Sequence, residues 1–141
     1  MRPPYDVLGY QLMDLTYHRL GKGIPEMFKI TLGKSSFDQE KQIYVIFPII
    51  EVKFKEAETS LFRYNAAFRI NDSTWKDSLP QIQLDALLVS SIYPFLRMSV
   101  HQITDDSRGP INLPIIDLRF ANFEKGVTIE PMQKNKTTFQ N

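Results

Sequence analysis

The sequence predicts an α+β domain in which a four-stranded antiparallel sheet packs against one long helix. Three observations carry this. Residues 78–104 have helical periodicity between start and stop signals, and residues 62–70 alternate apolar and polar side chains over a full strand length. The strand-like runs all precede the helix instead of alternating with it, which separates α+β from α/β architecture.

The elements follow in order. Tyr5 to Leu20 carries Leu8, Tyr10, Leu12, Leu15 and Tyr17 at uneven spacing and reads as a first strand. Gly21-Lys22-Gly23-Ile24-Pro25 breaks it, predicting an exposed, mobile crossing loop. Phe28, Ile30 and Leu32 alternate with Lys29 and Thr31 in a short half-buried strand that ends at Gly33-Lys34-Ser35-Ser36. Gln42 to Phe54 is apolar on both parities at first, as in a central strand covered on two sides, while Pro48 predicts an edge or a bulge in its middle. After the polar hinge Lys55-Glu56-Ala57-Glu58-Thr59, Phe62, Tyr64, Ala66, Phe68 and Ile70 face one way and Arg63, Asn65 and Arg69 the other, so the two runs form a long hairpin. Asn71-Asp72-Ser73-Thr74 closes it, and Trp75 to Leu79 lead into the helix.

Ser78 and Gln81 have capping-box spacing, and Pro80 is tolerated in a first turn. Asp105 to Ser107 lose the apolar pattern, and Gly109-Pro110 is a helix-stopping pair. Between these signals Val89, Tyr93, Leu96, Val100 and Ile103 form one apolar stripe, with Leu84, Leu88, Ile92 and Phe95 beside it. An arc this wide exceeds what one sheet face covers, so the helix is either deeply buried or shared between subunits, in the latter case through Leu88, Val89, Ile92, Leu96, Val100 and Ile103. Pro94 predicts a kink or a two-piece helix.

Ile92-Tyr93-Pro94-Phe95-Leu96-Arg97, then Arg108-Gly109, then Ile111-Asn112-Leu113-Pro114-Ile115, resembles the helix and turn of the SecB family of protein-export chaperones. The likeness covers about 30 residues by motif and is compatible with the pattern before them. It implies an ATP-independent holdase, a dimer of dimers with the long helices at its centre, binding non-native polypeptides in surface grooves. It also implies a second helix near residues 115–125. That segment is by itself ambiguous between helix and strand, and Gly126 and Pro131 would cut a helix short. Family members that pass clients to the SecA motor carry an acidic outer sheet face and an acidic tail. Here that face mixes Glu51, Glu56 and Glu58 with Arg63, and the tail bears Lys134 and Lys136, so the SecA partnership is not expected. SecB-like relatives also serve as chaperones of antitoxins, which makes an antitoxin an alternative client.

Length and composition set the outer bounds. A chain of 141 residues, 43% apolar and 12% aromatic, suits one domain over residues 1–131 with a polar tail at 132–141. Seventeen basic and sixteen acidic residues leave a net charge of +1, so no global field draws it to nucleic acid or membrane. Without cysteine there is no disulfide, thiolate metal site or cysteine nucleophile. No stretch matches a secretory signal or a membrane-spanning run, which makes the cytoplasm the expected location.

No catalytic, metal or cofactor site is predicted. Leu32-Gly33-Lys34-Ser35 imitates the end of a phosphate-binding loop, but Phe28 stands where the first glycine is required. His18 and His101 have no second ligand at metal spacing, and Asp105-Asp106 reads as a solvated helix end. Arg63, Arg69, Lys53 and Lys55 among Phe62 and Tyr64 resemble a base-stacking sheet only superficially, since glutamates dilute the charge. What stands out is surplus apolar surface, with Trp75, Tyr93 and Phe95 the expected client-facing aromatics. Two other classes share these features, an interaction scaffold and a binder of small apolar ligands.

Overall fold

The alternating run becomes β6 (Ser60–Ile70), the spine of a seven-stranded antiparallel sheet. The computed structural model describes residues 2–20 and 24–130. Before β6 come β1 (Tyr5–Thr16), β2 (Met27–Leu32), β3 (Ser36–Asp38), β4 (Ile43–Ile46) and β5 (Pro48–Lys53). After it come α1 (Ser73–Ser78), α2 (Gln81–Thr104) and β7 (Val127–Ile129). The predicted crossing-loop glycines at 21–23 and the tail from 131 onward lie outside the described residues.

The prediction of four strands is corrected to seven, and the reason is local. Four long strands are present, but two are interrupted. Pro48 divides the third into β4 and β5, and Gly33–Ser35 divides the second into β2 and β3. The breaks face each other: Leu32 pairs with Pro48 and Ser36 with Val45, so residues 33–35 oppose residues 46–47. That is the count of a β-bulge, stitched by the Gly33 N–H donating to the Phe47 carbonyl at 2.9 Å. β7 adds the seventh strand beside β2. β1 returns along β6 instead of beside β2, giving the long strands Greek-key order.

The inner face of β6, from Phe62 to Ile70, is buried as predicted. Among the described residues no second layer covers the outer face, contrary to the two-sided cover expected of the central strand. Ile43, Val45 and Ile49 are half-buried there.

The helical region also departs from expectation. A separate short helix, α1, precedes α2 and is capped by Asp72, whose carboxylate accepts the Trp75 N–H at 3.0 Å. Ser78 instead ends α1, its hydroxyl donating to the Trp75 carbonyl. The break falls at Leu79, held extended (φ −96°, ψ 136°) by the proline after it. α2 then runs through Pro94 without dividing into two pieces.

The wide apolar arc of α2 is covered by the chain itself. Leu88, Val89, Ile92, Tyr93, Leu96 and Val100 belong to one core with the inner sheet face and with Ile111, Leu113, Leu118, Ala121 and Phe123. Residues 115–125, expected to be helix or strand, form neither; turns at 119–120 and 123–125 carry them across the core. Polar contacts fasten this segment to α2. The Tyr93 hydroxyl donates to the Pro114 carbonyl at 2.6 Å, and Arg97 Nε donates to the Leu113 carbonyl at 3.2 Å.

Thr104 is fully buried, and its hydroxyl donates to the Val100 carbonyl at 2.6 Å while accepting the Ile111 N–H at 2.8 Å. Thr104→Val keeps the shape and leaves the Ile111 N–H buried without a partner. It is expected to cost about 1–3 kcal/mol, read as a lowered urea midpoint with unchanged slope.

Gly126 has φ +77°, and a Cβ there would lie 2.9 Å from Thr31 Cγ2. Gly126→Ala combines backbone strain with this clash at the point where the chain enters β7. A loss of about 1–3 kcal/mol in equilibrium unfolding is expected.

Candidate functional site

Leu20, Ile24, Ile115 and Phe120 are the most exposed apolar residues one by one, and a further group of exposed apolar residues lies where β1 meets α2. Among the described residues β1 pairs only with β6, so its other main-chain edge is open. Its register slips at Val7/Gly9 and again at Leu12/Asp14, each slip absorbing one residue. Tyr5, Val7, Tyr10, Leu12 and Leu15 thereby all fall opposite inward-facing residues of β6: Ile70, Phe68, Ala66, Tyr64 and Phe62. The uneven spacing that blurs the strand in the sequence is the signature of these bulges.

Tyr5 is tied down, its ring stacked on Trp75 at 5.4 Å and its hydroxyl hydrogen-bonded to Ser91. Further along, Val7, Tyr10, Leu12 and Leu15 project past the cover of α2 and keep 37–41% of their surface exposed. Phe95 on the near flank of α2 is 48% exposed, with its ring 6.2 Å from that of Tyr10. The Tyr64 phenol and Ser99 Oγ, 2.8 Å apart, pin the helix beside this shelf, and burial pushes the Tyr64 pKa up. A long open edge with apolar side chains is a site that pairs with another chain unless guarded.

The predicted site residues divide sharply. Of the client-facing aromatics only Phe95 is well exposed. Tyr93 is corrected to a core residue: its ring lies 6.2 Å from Phe28, and burial raises its phenol well above the ordinary value. Trp75 is half-buried beneath Tyr5. Of the expected oligomer-interface residues, Leu88, Val89, Ile92, Leu96 and Val100 are at 0% exposure in the chain's own core, and Ile103 alone, at 39%, could meet a partner. Of the two alternatives for the wide arc, deep burial holds for these five, and segment 111–123, which has no regular periodicity, supplies the second cover.

The expected docking face is of mixed sign. Arg63 stands 3.8 Å from Asp14, Glu51 pairs across the ladder with Lys29, and Glu56 and Glu58 are exposed in and after the β5–β6 turn. The remaining motifs resolve structurally. Gly33-Lys34-Ser35 is the bulge leading into β3, with no helix after it to complete a phosphate loop. His18 Nε2 lies 3.4 Å from Glu58, and His101 Nδ1 lies 2.8 Å from Asn112 Oδ1. Asp106 chelates Arg108, whose hydrogen bonds lower its carboxyl pKa to about 2. No group of three metal-capable side chains occurs among the described residues, and no helix there is long and apolar enough to cross a membrane.

Sequence reasoning missed a clasp joining the start of the crossover to the end of α2. Arg19 donates to the carbonyls of Gly109 (2.6 Å) and Arg108 (3.2 Å), and Arg108 donates back to the Arg19 carbonyl (2.9 Å). Arg19 lies over Phe54, and Arg108 over Tyr17. Ninety residues of separation hide such a pairing from local pattern.

No protein-family model matches the sequence, and no similar curated protein is found. Among solved structures, the fold is similar to that of the SecB-like chaperone Rv1957 of Mycobacterium tuberculosis, in complex with a ChAD peptide from the HigA1 antitoxin. The TM-score is 0.54 at 14% identity, over 80% of this chain and 90% of that one. A protein of unknown function from Streptococcus agalactiae matches at TM-score 0.44 and 10% identity, over 79% of this chain and 97% of that one. The likeness to the mycobacterial chaperone shows a SecB-like fold.

Proposed function

We propose that this protein is a holdase chaperone that needs no nucleotide. It binds apolar, extended segments of non-native polypeptides on the shelf formed by Val7, Tyr10, Leu12, Leu15 and Phe95. The observation that carries the reading is this shelf, a row of exposed apolar side chains on one face of a strand whose outer edge is unpaired among the described residues. Apolar side chains bind without demanding a sequence, which suits varied clients. The SecB-like fold supports it, and because the mycobacterial neighbour holds an antitoxin peptide, an antitoxin is one class of client to test.

The proposal includes self-association through β1. Antiparallel pairing of two β1 edges would satisfy their open N–H and C=O groups and extend the sheet across both copies. Strand pairing uses the edge and leaves the faces free, so two shelves would lie side by side between two α2 helices. Light scattering at micromolar concentration should return a multiple of 16.4 kDa, and a monomer mass would remove this part. The mixed-sign outer face supports the further reading that SecA is not a partner. Calorimetry with SecA at low salt should show no binding, and a salt-sensitive complex would contradict that.

The functional test is aggregation of a chemically denatured model protein followed by light scattering. Equimolar protein should slow aggregation equally with and without ATP. Unchanged aggregation at several-fold excess would refute the holdase reading.

A further inference from the structure

The two flanks of α2 differ in chemistry. Phe95 faces the shelf on the β1 side, whereas the opposite flank runs along the segment fastened to it at Leu113 and Asn112. There Pro94, Arg97, Met98, His101, Asn112 and Leu113 line an open cleft of about 260 Å³. Sites for drug-sized molecules run from about 300 to 1,000 Å³, so this one falls just short of them and has ample room for a side chain of a larger ligand.

Pro94, Met98 and Leu113 give the cleft apolar walls, and Arg97 and His101 give it nitrogen donors. Arg97 is half-buried, and its Nε is committed to the Leu113 carbonyl, which holds the guanidinium in place. The described Asp and Glu residues in ion pairs partner Arg2, His18, Arg63, Lys76, Arg108 and Arg119, and none partners Arg97. A positioned guanidinium with unused Nη donors in an apolar concavity is complementary to a carboxylate on a short aliphatic stem.

We propose that the cleft takes an acidic side chain of the bound polypeptide, with its carboxylate on Arg97 and its stem against Met98 and Leu113. The inference rests on the polypeptide-binding reading above and adds to it a preference for clients with an acid near their apolar segment. A client spanning both flanks would cross the crest of the helix, where Met98 is 57% exposed.

The test is fluorescence anisotropy with labelled, C-terminally amidated apolar peptides that differ only in a central Glu or Gln. The Glu peptide should bind about tenfold more tightly. Arg97→Gln should erase that preference, the Glu peptide then binding no more tightly than the Gln peptide. Met98→Glu, an exposed position that tolerates substitution, should erase it too by placing a rival carboxylate in the cleft, and keeps the test available if the Arg97 variant folds poorly. Equal binding of the two peptides by the native protein, or a preference that survives both variants, would overturn the inference and leave the shelf intact. A gain seen only on freeing the peptide C-terminus would overturn it as well, assigning the cleft to a chain end. Failure of both peptides to bind would remove the polypeptide-binding reading and this inference together.

Discussion

Leu96→Asp unfolds the protein, whereas Phe95→Asp, one residue away, leaves it folded: this is the sharpest expected contrast in the molecule. Leu96 is at 0% exposure in the core between the inner sheet face and segment 111–123. An unpaired carboxylate there costs several kcal/mol to desolvate, and the loss of leucine packing adds to it. Total stability of a domain this size is about 5–15 kcal/mol, so the sum removes most or all of it. Phe95 gives up only its half-exposed surface and its contact with Tyr10, a change of about 1 kcal/mol. Circular dichroism and urea titration distinguish the outcomes. A folded Leu96→Asp that only lost self-association would restore the inter-subunit role for this stripe.

The second large effect is on client capture. Leu12→Asp combined with Phe95→Asp should leave the protein folded, with the thermal transition lowered by about 5–15 °C, and reduce protection against aggregation by about tenfold or more. Full burial of one such side chain contributes about 1.5–3 kcal/mol, and tenfold in affinity corresponds to about 1.4 kcal/mol. Losing even part of two anchors reaches that figure, and the carboxylates resist desolvation by an apolar client. Matched substitutions on the outer sheet face, Arg63→Asp and Asn65→Asp, should leave protection unchanged. Equal losses from the two faces would show that capture does not depend on the shelf.

How far the sequence discloses this molecule depends on the range over which each signal acts. The strict alternation of residues 60–70 needs only its own neighbours, and it emerges as β6 with its inward face buried. The helical period of residues 81–104 is equally local, and α2 follows it. Strand interruptions are less legible. Pro48 announces its break, but the matching break at Gly33–Ser35 arises because the paired strand must follow. The start of α2 at Gln81 matches the signal around Ser78 and Pro80, but Ser78 does not cap it, because it ends the separate short helix α1, capped by Asp72, before the extended Leu79. Least legible were the features that need distant partners. The width of the α2 arc was plain, but its second cover is an irregular segment with no period to detect. Tyr93 and Phe95 are equivalent as composition, and only the sheet and the Pro114 carbonyl decide that one is core and the other surface. In β1 the bulges at residues 8 and 13 scramble the alternation, so the shelf could not be assembled before its register was known.

Site-specific photocrosslinking tests the central claim most directly. A photoreactive residue is placed in turn at Leu12, at Phe95 and, on the outer sheet face, at Arg63, and each protein is illuminated with a denatured client held below its aggregation threshold. The account predicts client adducts from positions 12 and 95, competed away by an unlabelled apolar peptide, and none above background from position 63. Adducts mainly from position 63, or none from the shelf while the protein still suppresses aggregation, would contradict it.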